Sequence, residues 1–271
     1  MSLGKNIRLR RLFSHPSGRL CSVAVDHFIG YQVGLPSGLT DLPATLAKLV
    51  PALPGAITMN KGVALTCWAP HAGKVPLIIQ SGCFTPDDSV LEIMCSADEA
   101  LRLGADALAL AIGVRGPQEG RYLKALADAA SAGDRAGIPV IAHIYPRVYE
   151  NGKATIVFTP EQIAWAVRSG IECGVDVIKV GYTGDMASFR QIVAGSPVPV
   201  VAAGGPKAPN FAAALTAMGE AVAAGARGAT IGRNIWGAAD PVAALTAFKA
   251  VILDGRSASE ALRQPGLAAT G

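Results

Sequence analysis

Short apolar runs punctuate this chain at residues 20–25, 56–59, 75–80, 107–112, 139–144, 177–182, 199–203 and 228–232, most of them beginning or ending in Gly, Pro or Ala. Their apolar character is nearly continuous, which marks strands covered on both faces. Between them lie stretches with helical spacing, at 96–103, 118–136, 160–173, 185–194, 209–224 and 240–253. The link 42–53 contains Pro43 and Pro51 and has the weakest helical pattern. Strands alternating with helices imply βαβ crossovers and a parallel sheet. Eight such strands in 271 residues predict an α/β fold of the closed (β/α)8 barrel type, which typically needs about 250 residues. An open doubly wound sheet is the alternative, but no GxGxxG follows the first strand.

One of these runs carries a full charge. Lys179 stands inside Val177-Ile178-Lys179-Val180-Gly181-Tyr182. An ammonium group in a covered strand costs several kcal/mol unless it is paired or loses its charge. A lysine has an ordinary pKa of ~10.4, and desolvation lowers it, which frees the amine to attack a carbonyl. The competing reading is a lysine on an edge strand with its head in water. A closed barrel has no edge strand, so that reading loses most of its weight.

Composition fits a single barrel domain over residues 1–271, with a short N-terminal arm at 1–19. The chain is 51% hydrophobic and 16% charged, and no apolar run reaches the ~18 residues of a membrane span. The arm carries Lys5, Arg8, Arg10 and Arg11 with no apolar stretch after them, so a solvated segment is expected there rather than a secretory signal. A net charge of +4 with 6% aromatics does not suggest a nucleic-acid binder, and it suits an anionic substrate. Five cysteines form no CxxC pair and read as reduced core residues of a cytoplasmic protein. Cys83 follows the third strand, where packing is the better reading.

Barrel chemistry sits at the C-terminal ends of the strands. Here those ends carry Asp26 and His27 on strand one, Asn60 and Lys61 on strand two, His143, Tyr145 and Arg147 on strand five, and Lys179 on strand six. Strand seven ends Gly204-Gly205-Pro206-Lys207 and strand eight Gly232-Arg233-Asn234. Residues two apart share a face, so His143, Tyr145 and Arg147 fall on one side if the strand stays regular. Tyr145 can move a proton at a carbinolamine, or it can be a strand tyrosine packed on a helix. Asp26 can hold the amine or a substrate hydroxyl, or it can cap a turn. Gly204, Gly205 and Gly232 offer bare backbone N–H groups and Arg233 a guanidinium, a phosphate-binding pattern for the loops after strands seven and eight. Lys61 is the rival amine and reads as a wetter charge contact.

Together, Val25-Asp26-His27, Tyr145-Pro146-Arg147, the run from Val177 through Asp185, Ala203-Gly204-Gly205-Pro206-Lys207 and Gly232-Arg233-Asn234-Ile235-Trp236 resemble the archaeal-type class I fructose-bisphosphate aldolases. These belong to a superfamily with deoxyribose-phosphate, tagatose-bisphosphate and autoinducer-processing aldolases, and the resemblance runs from about residue 20 to about residue 250. It implies that Lys179 is the Schiff-base lysine, Tyr145 the proton-transferring tyrosine and Asp26 the acidic partner. It implies phosphate binding at Gly204, Gly205, Gly232 and Arg233, and a ring-like homo-oligomer, often a decamer. Two departures stand beside the reacting carbons. His143 replaces the family's tryptophan, and Asp26-His27-Phe28 replaces Asp-His-Gly, which leaves the sugar open.

His143 is expected to contact substrate rather than carry protons. His27, Arg147 and Lys61 are further substrate contacts. No cofactor or metal is expected beyond the covalent Schiff base, since His15, His27, His71 and His143 show no ligand spacing. Three functions stay open: an aldolase on a phosphorylated ketose, a transaldolase or thiolase-type transferase using the same lysine, and a non-catalytic sugar-phosphate binder.

Overall fold

A computed structural model describes residues 2–27, 34–85, 89–206 and 208–263. The eight barrel strands are β1 (Leu20–Ala24), β2 (Ala56–Asn60), β3 (Leu77–Gln80), β4 (Ala107–Val114), β5 (Val140–Glu150), β6 (Val177–Gly181), β7 (Val200–Ala203) and β8 (Gly228–Ile231). They pair in parallel in the order β4-β3-β2-β1-β8-β7-β6-β5. Pairing of β4 with β5, from Leu108 opposite Val140 to Val114 opposite Pro146, closes the ring. The fold is a (β/α)8 barrel.

Closure explains the continuous apolar runs. Alternate residues of each strand serve two different cores. Leu20, Ala56, Ile78, Ala107, Ala109, Ile141, Val177 and Val201 fill the lower barrel interior. Their neighbours, such as Cys21, Val23, Ile57, Met59, Leu77, Ile79, Leu108 and Ile178, pack outward under the helices. Above the apolar floor the interior turns polar. Ser22, Thr58, Gln80, His143, Lys179 and Thr230 are all buried there, and Ser22 and Thr230 share a hydrogen bond of 2.7 Å.

Helix boundaries follow their caps. The side chains of Asp185, Asn210 and Asp240 accept backbone N–H groups of Ser188, Ala213 and Ala243, and helices Met186–Ala194, Phe211–Ala223 and Pro241–Ile252 begin immediately after these caps. The link 42–53 becomes helix Leu42–Leu49, with Pro43 in its first turn, and then a 3-10 turn, Val50–Ala52.

The N-terminal arm is not a solvated segment. Helix Leu3–Leu12 closes the bottom of the barrel, with Leu12 joining the interior floor. Lys5 is 1% exposed and is ion-paired to Asp134 and, at 2.9 Å, to Asp176. Asp176 in turn accepts the backbone N–H of Val140 at the start of β5. Lys5, Arg8 and Arg11 anchor this helix through polar contacts, which a hydrophobic pattern does not reveal.

β5 runs past its expected end at residue 144. It continues to Glu150 and turns back through Lys153–Ile156, pairing Arg147 with Ile156 and Glu150 with Lys153. Asn151 (φ +51°) and Gly152 (φ +78°) form the two-residue turn. Both take positive φ, the conformation for which Asn-Gly is the strongest short hairpin signal. That signal was legible in the sequence. A second hairpin, Gly82–Phe84 with Leu91–Ile93, follows β3.

Candidate active site

Lys179 projects from β6 into the barrel, opposite His143 on β5 and Val201 on β7, and is 6% exposed. Its side chain helps line a cavity of about 290 Å³ at the C-terminal mouth. Tyr145, His27 and Thr230 line the same cavity, together with Gly204, Gly205, Gly232 and Arg233 from the ends of β7 and β8. The hairpin after β5 supplies an apolar wall, Ile156 and Phe158. Phe158 packs so closely over Gly181 that any Cβ there would strike its ring.

Asp26 and His143 stand beside this cavity without lining it. Gln80, at the end of β3, joins them: its Nε2 lies 3.0 Å from Asp26 Oδ2 and 3.0 Å from His143 Nδ1. His27 Nδ1 is 3.5 Å from Asp26 Oδ1, and its ring meets Trp236 edge-on at 5.5 Å. Trp236 is fixed by donating from Nε1 to Ala24 O at 3.0 Å. Gly232 leaves room for His27, because a Cβ at that position would enter the imidazole ring.

Electrostatics divide the charges. Burial drives the Lys179 amine below the ordinary lysine value, and the Arg233 cation pushes the same way against the Asp26 carboxylate. Burial also holds His143 well below the ordinary imidazole value, reinforced by the Lys179 charge and opposed by Asp26. For Asp26 burial alone would raise the carboxyl, but the hydrogen bond and charge of His27 and the charge of Lys179 outweigh it and leave it below the usual range. Around Lys179 the barrel interior thus favours a charged Asp26 and disfavours the charged forms of the lysine amine and the His143 imidazole.

At the ends of β7 and β8, Arg233 Nη2 donates to Gly205 O at 3.1 Å, while its buried Nε has no hydrogen-bond partner among the described residues. Asn234 staples the loop after β7, donating to Gly204 O and Pro206 O and accepting from Ala208 N. Lys207 and Phe28 lie outside the described residues.

Two expected substrate contacts are placed elsewhere. Arg147 is 1% exposed and does not line the cavity. Its guanidinium packs against Gly113, with the Tyr122 and Tyr149 rings at 5.2 and 5.5 Å. The antiparallel return of the hairpin at Ile156 pairs Arg147 there and seals it in. Lys61 begins helix Lys61–Cys67 and pairs with Glu99 Oε1 at 2.9 Å, outside the cavity lining. Gln80, Phe158 and the stapling Asn234 were not assigned roles from sequence. Gln80 had a usable signal, a polar residue ending an apolar strand.

Five free thiols are spread through the fold, and burial raises Cys21 to about 12 and Cys95 to about 11, which keeps both protonated. Among the described residues no three His, Cys, Asp or Glu side chains converge to hold a metal ion, and no helix is long and apolar enough to cross a membrane.

The family profile described as DeoC/LacD family aldolase matches residues 20–238, from β1 past the Arg233 turn. The chain belongs to this aldolase family. Within its reach, 2-amino-3,7-dideoxy-D-threo-hept-6-ulosonate synthase of Halobacterium salinarum is 33% identical over 267 residues, 97% of each chain. The 3-hydroxy-5-phosphonooxypentane-2,4-dione thiolase of Escherichia coli is 30% identical over 260 residues, 95% of this chain and 85% of its own. An archaeal fructose-1,6-bisphosphate aldolase, solved with its catalytic lysine bound to a carbinolamine, superposes with a TM-score of 0.79. It is 27% identical over 92% of this chain and 99% of its own.

Proposed function

We propose that this aldolase-family enzyme makes or breaks a carbon–carbon bond in a phosphorylated ketose through a Schiff base on Lys179. The observation that carries the reading is the placement of a buried, desolvated amine on the inner face of β6, in one cavity with two glycine turns and Arg233. The uncharged amine attacks the ketone carbonyl to give a carbinolamine, which loses water to form the iminium. Tyr145 gives its proton to the departing carbinolamine hydroxyl, and the resulting phenolate then accepts the proton of the hydroxyl on the carbon beyond the breaking bond. That bond cleaves, an aldehyde leaves, and its electrons are held as the enamine. Asp26 balances the positive charge of the iminium. The glycine backbones and Arg233 grip the substrate's anionic end, which fixes the reacting carbon against Lys179.

Likeness to a thiolase and to a synthase favours a second reading on the same lysine. In it, the lysine-bound fragment passes to an acceptor other than water or a proton. Turnover that depends on an added acceptor separates this reading from simple cleavage.

The test is incubation with a panel of ketose phosphates and borohydride, followed by mass mapping of the adduct. The adduct is expected on the peptide carrying Lys179, and Lys179→Arg should abolish it. An adduct on Lys61 would overturn the assignment. No adduct with any ketose would favour a sugar-phosphate binder.

A further inference from the structure

Gln80 bridges Asp26, just past β1, and His143, on β5, across the barrel interior, and it is 4% exposed. Its Oε1 receives two backbone N–H groups, from Ala111 at 3.1 Å and Gly82 at 3.2 Å. Those groups can only donate, so they settle which end of the amide is oxygen. A flipped amide would set its NH2 against both donors and its oxygen against a carboxylate. The two hydrogens of Nε2 therefore point at Asp26 Oδ2 and His143 Nδ1. A ring nitrogen that accepts an N–H carries no proton of its own, so the single imidazole proton sits on Nε2.

We propose that Gln80 is a positioning residue that orients the Asp26 carboxylate and locks His143 as the neutral Nε2–H tautomer, making His143 a fixed hydrogen-bond donor and not a proton carrier. The charged groups acting on His143 agree with this. Lys179 and His27 oppose a further positive charge, and only Asp26, already engaged by Gln80 and His27, favours one. Protonating Nδ1 would direct its hydrogen at the Gln80 amide hydrogens, a clash that flipping the Gln80 amide cannot relieve while Gly82 and Ala111 hold Oε1. This extends the proposed function and depends on it only for the kinetic consequence, since the tautomer can be read whatever reaction the site performs.

The test uses the whole chain with its four histidines labelled with nitrogen-15. Long-range proton–nitrogen correlation distinguishes the two neutral tautomers and the imidazolium, and His143→Asn identifies the signal. His143 should show the Nε2–H pattern and keep it through the range where a free imidazole titrates, near pH ~6.5. Gln80→Glu keeps the shape and the two accepted N–H groups but presents acceptors to both partners. It should convert His143 to the imidazolium or the Nδ1–H form at neutral pH. Gln80→Leu should give mixed tautomers. In both variants kcat should fall more than KM changes, by about 10–100-fold, the size seen when the partner orienting a metal-bound histidine is removed. An Nδ1–H or titrating His143 in the wild type overturns the proposal, and that measurement needs no variant to fold. So does an unchanged His143 spectrum in Gln80→Leu. Absence of any borohydride adduct beside an Nε2–H His143 would sink the Schiff-base reading and leave the role of Gln80 standing.

Discussion

Lys179 on β6 stands opposite His143 on β5, both facing the barrel interior, and the charge of the lysine disfavours a second charge on the imidazole. Because burial and Arg233 lower the Lys179 pKa, free amine appears at lower pH than for an ordinary lysine of ~10.4.

The initial rate of borohydride trapping should thus rise with pH through a midpoint below ~10.4. Removing the cation in Arg233→Ala should move that midpoint up, since the charged amine is then opposed less. Removing the anion in Asp26→Asn should move it down. A wild-type midpoint at the free-lysine value would mean the amine is solvated when it reacts.

Tyr145→Phe keeps the ring against the cavity wall and deletes one hydroxyl. Positioned acid–base groups contribute ~10²–10⁴-fold, so turnover should drop by that factor while trapping on Lys179 persists. Near-normal turnover would hand the proton transfer to Asp26 or water.

Arg233→Ala removes a guanidinium that is present in ground and transition states alike, so part of the loss should appear in KM. A charge-assisted hydrogen bond is worth ~1.5–3 kcal/mol, or roughly 10–150-fold in apparent affinity. Inorganic phosphate should compete in the wild type and poorly in the variant. Equal losses on phosphorylated and unphosphorylated substrates would make Arg233 structural.

Lys5→Met leaves Asp176 buried without its cation. Breaking a buried pair costs about 3–5 kcal/mol, and the low end applies because Asp134 is largely exposed and can re-solvate. Urea unfolding should show that loss, while borohydride trapping, at the opposite end of the barrel, stays unchanged. A stability within ~0.5 kcal/mol of wild type would show that the helix is not held by this pair.

The barrel was legible because each strand is a short apolar run, and a parallel strand buried on both faces has no other way to be written. Lys179 was legible for the same reason, as a charge where the pattern forbids one. Strand-end glycines and Arg233 could likewise be read off position, since the mouth of a barrel is defined by chain order alone. Contacts between residues distant in sequence could not be read. Lys5 looks like any basic residue near a terminus until folding brings Asp134 and Asp176 to it. Arg147 shares a strand face with His143 and Tyr145, yet the hairpin return at Ile156 buries it away from the cavity. Gln80 shows in the sequence only as a polar residue ending an apolar strand, because its role lies in its four partners, Asp26, Gly82, Ala111 and His143. Alternation along a strand decides which way a side chain points. Which groups it then meets depends on chain closure between strands far apart in sequence, and only the tertiary structure supplies that.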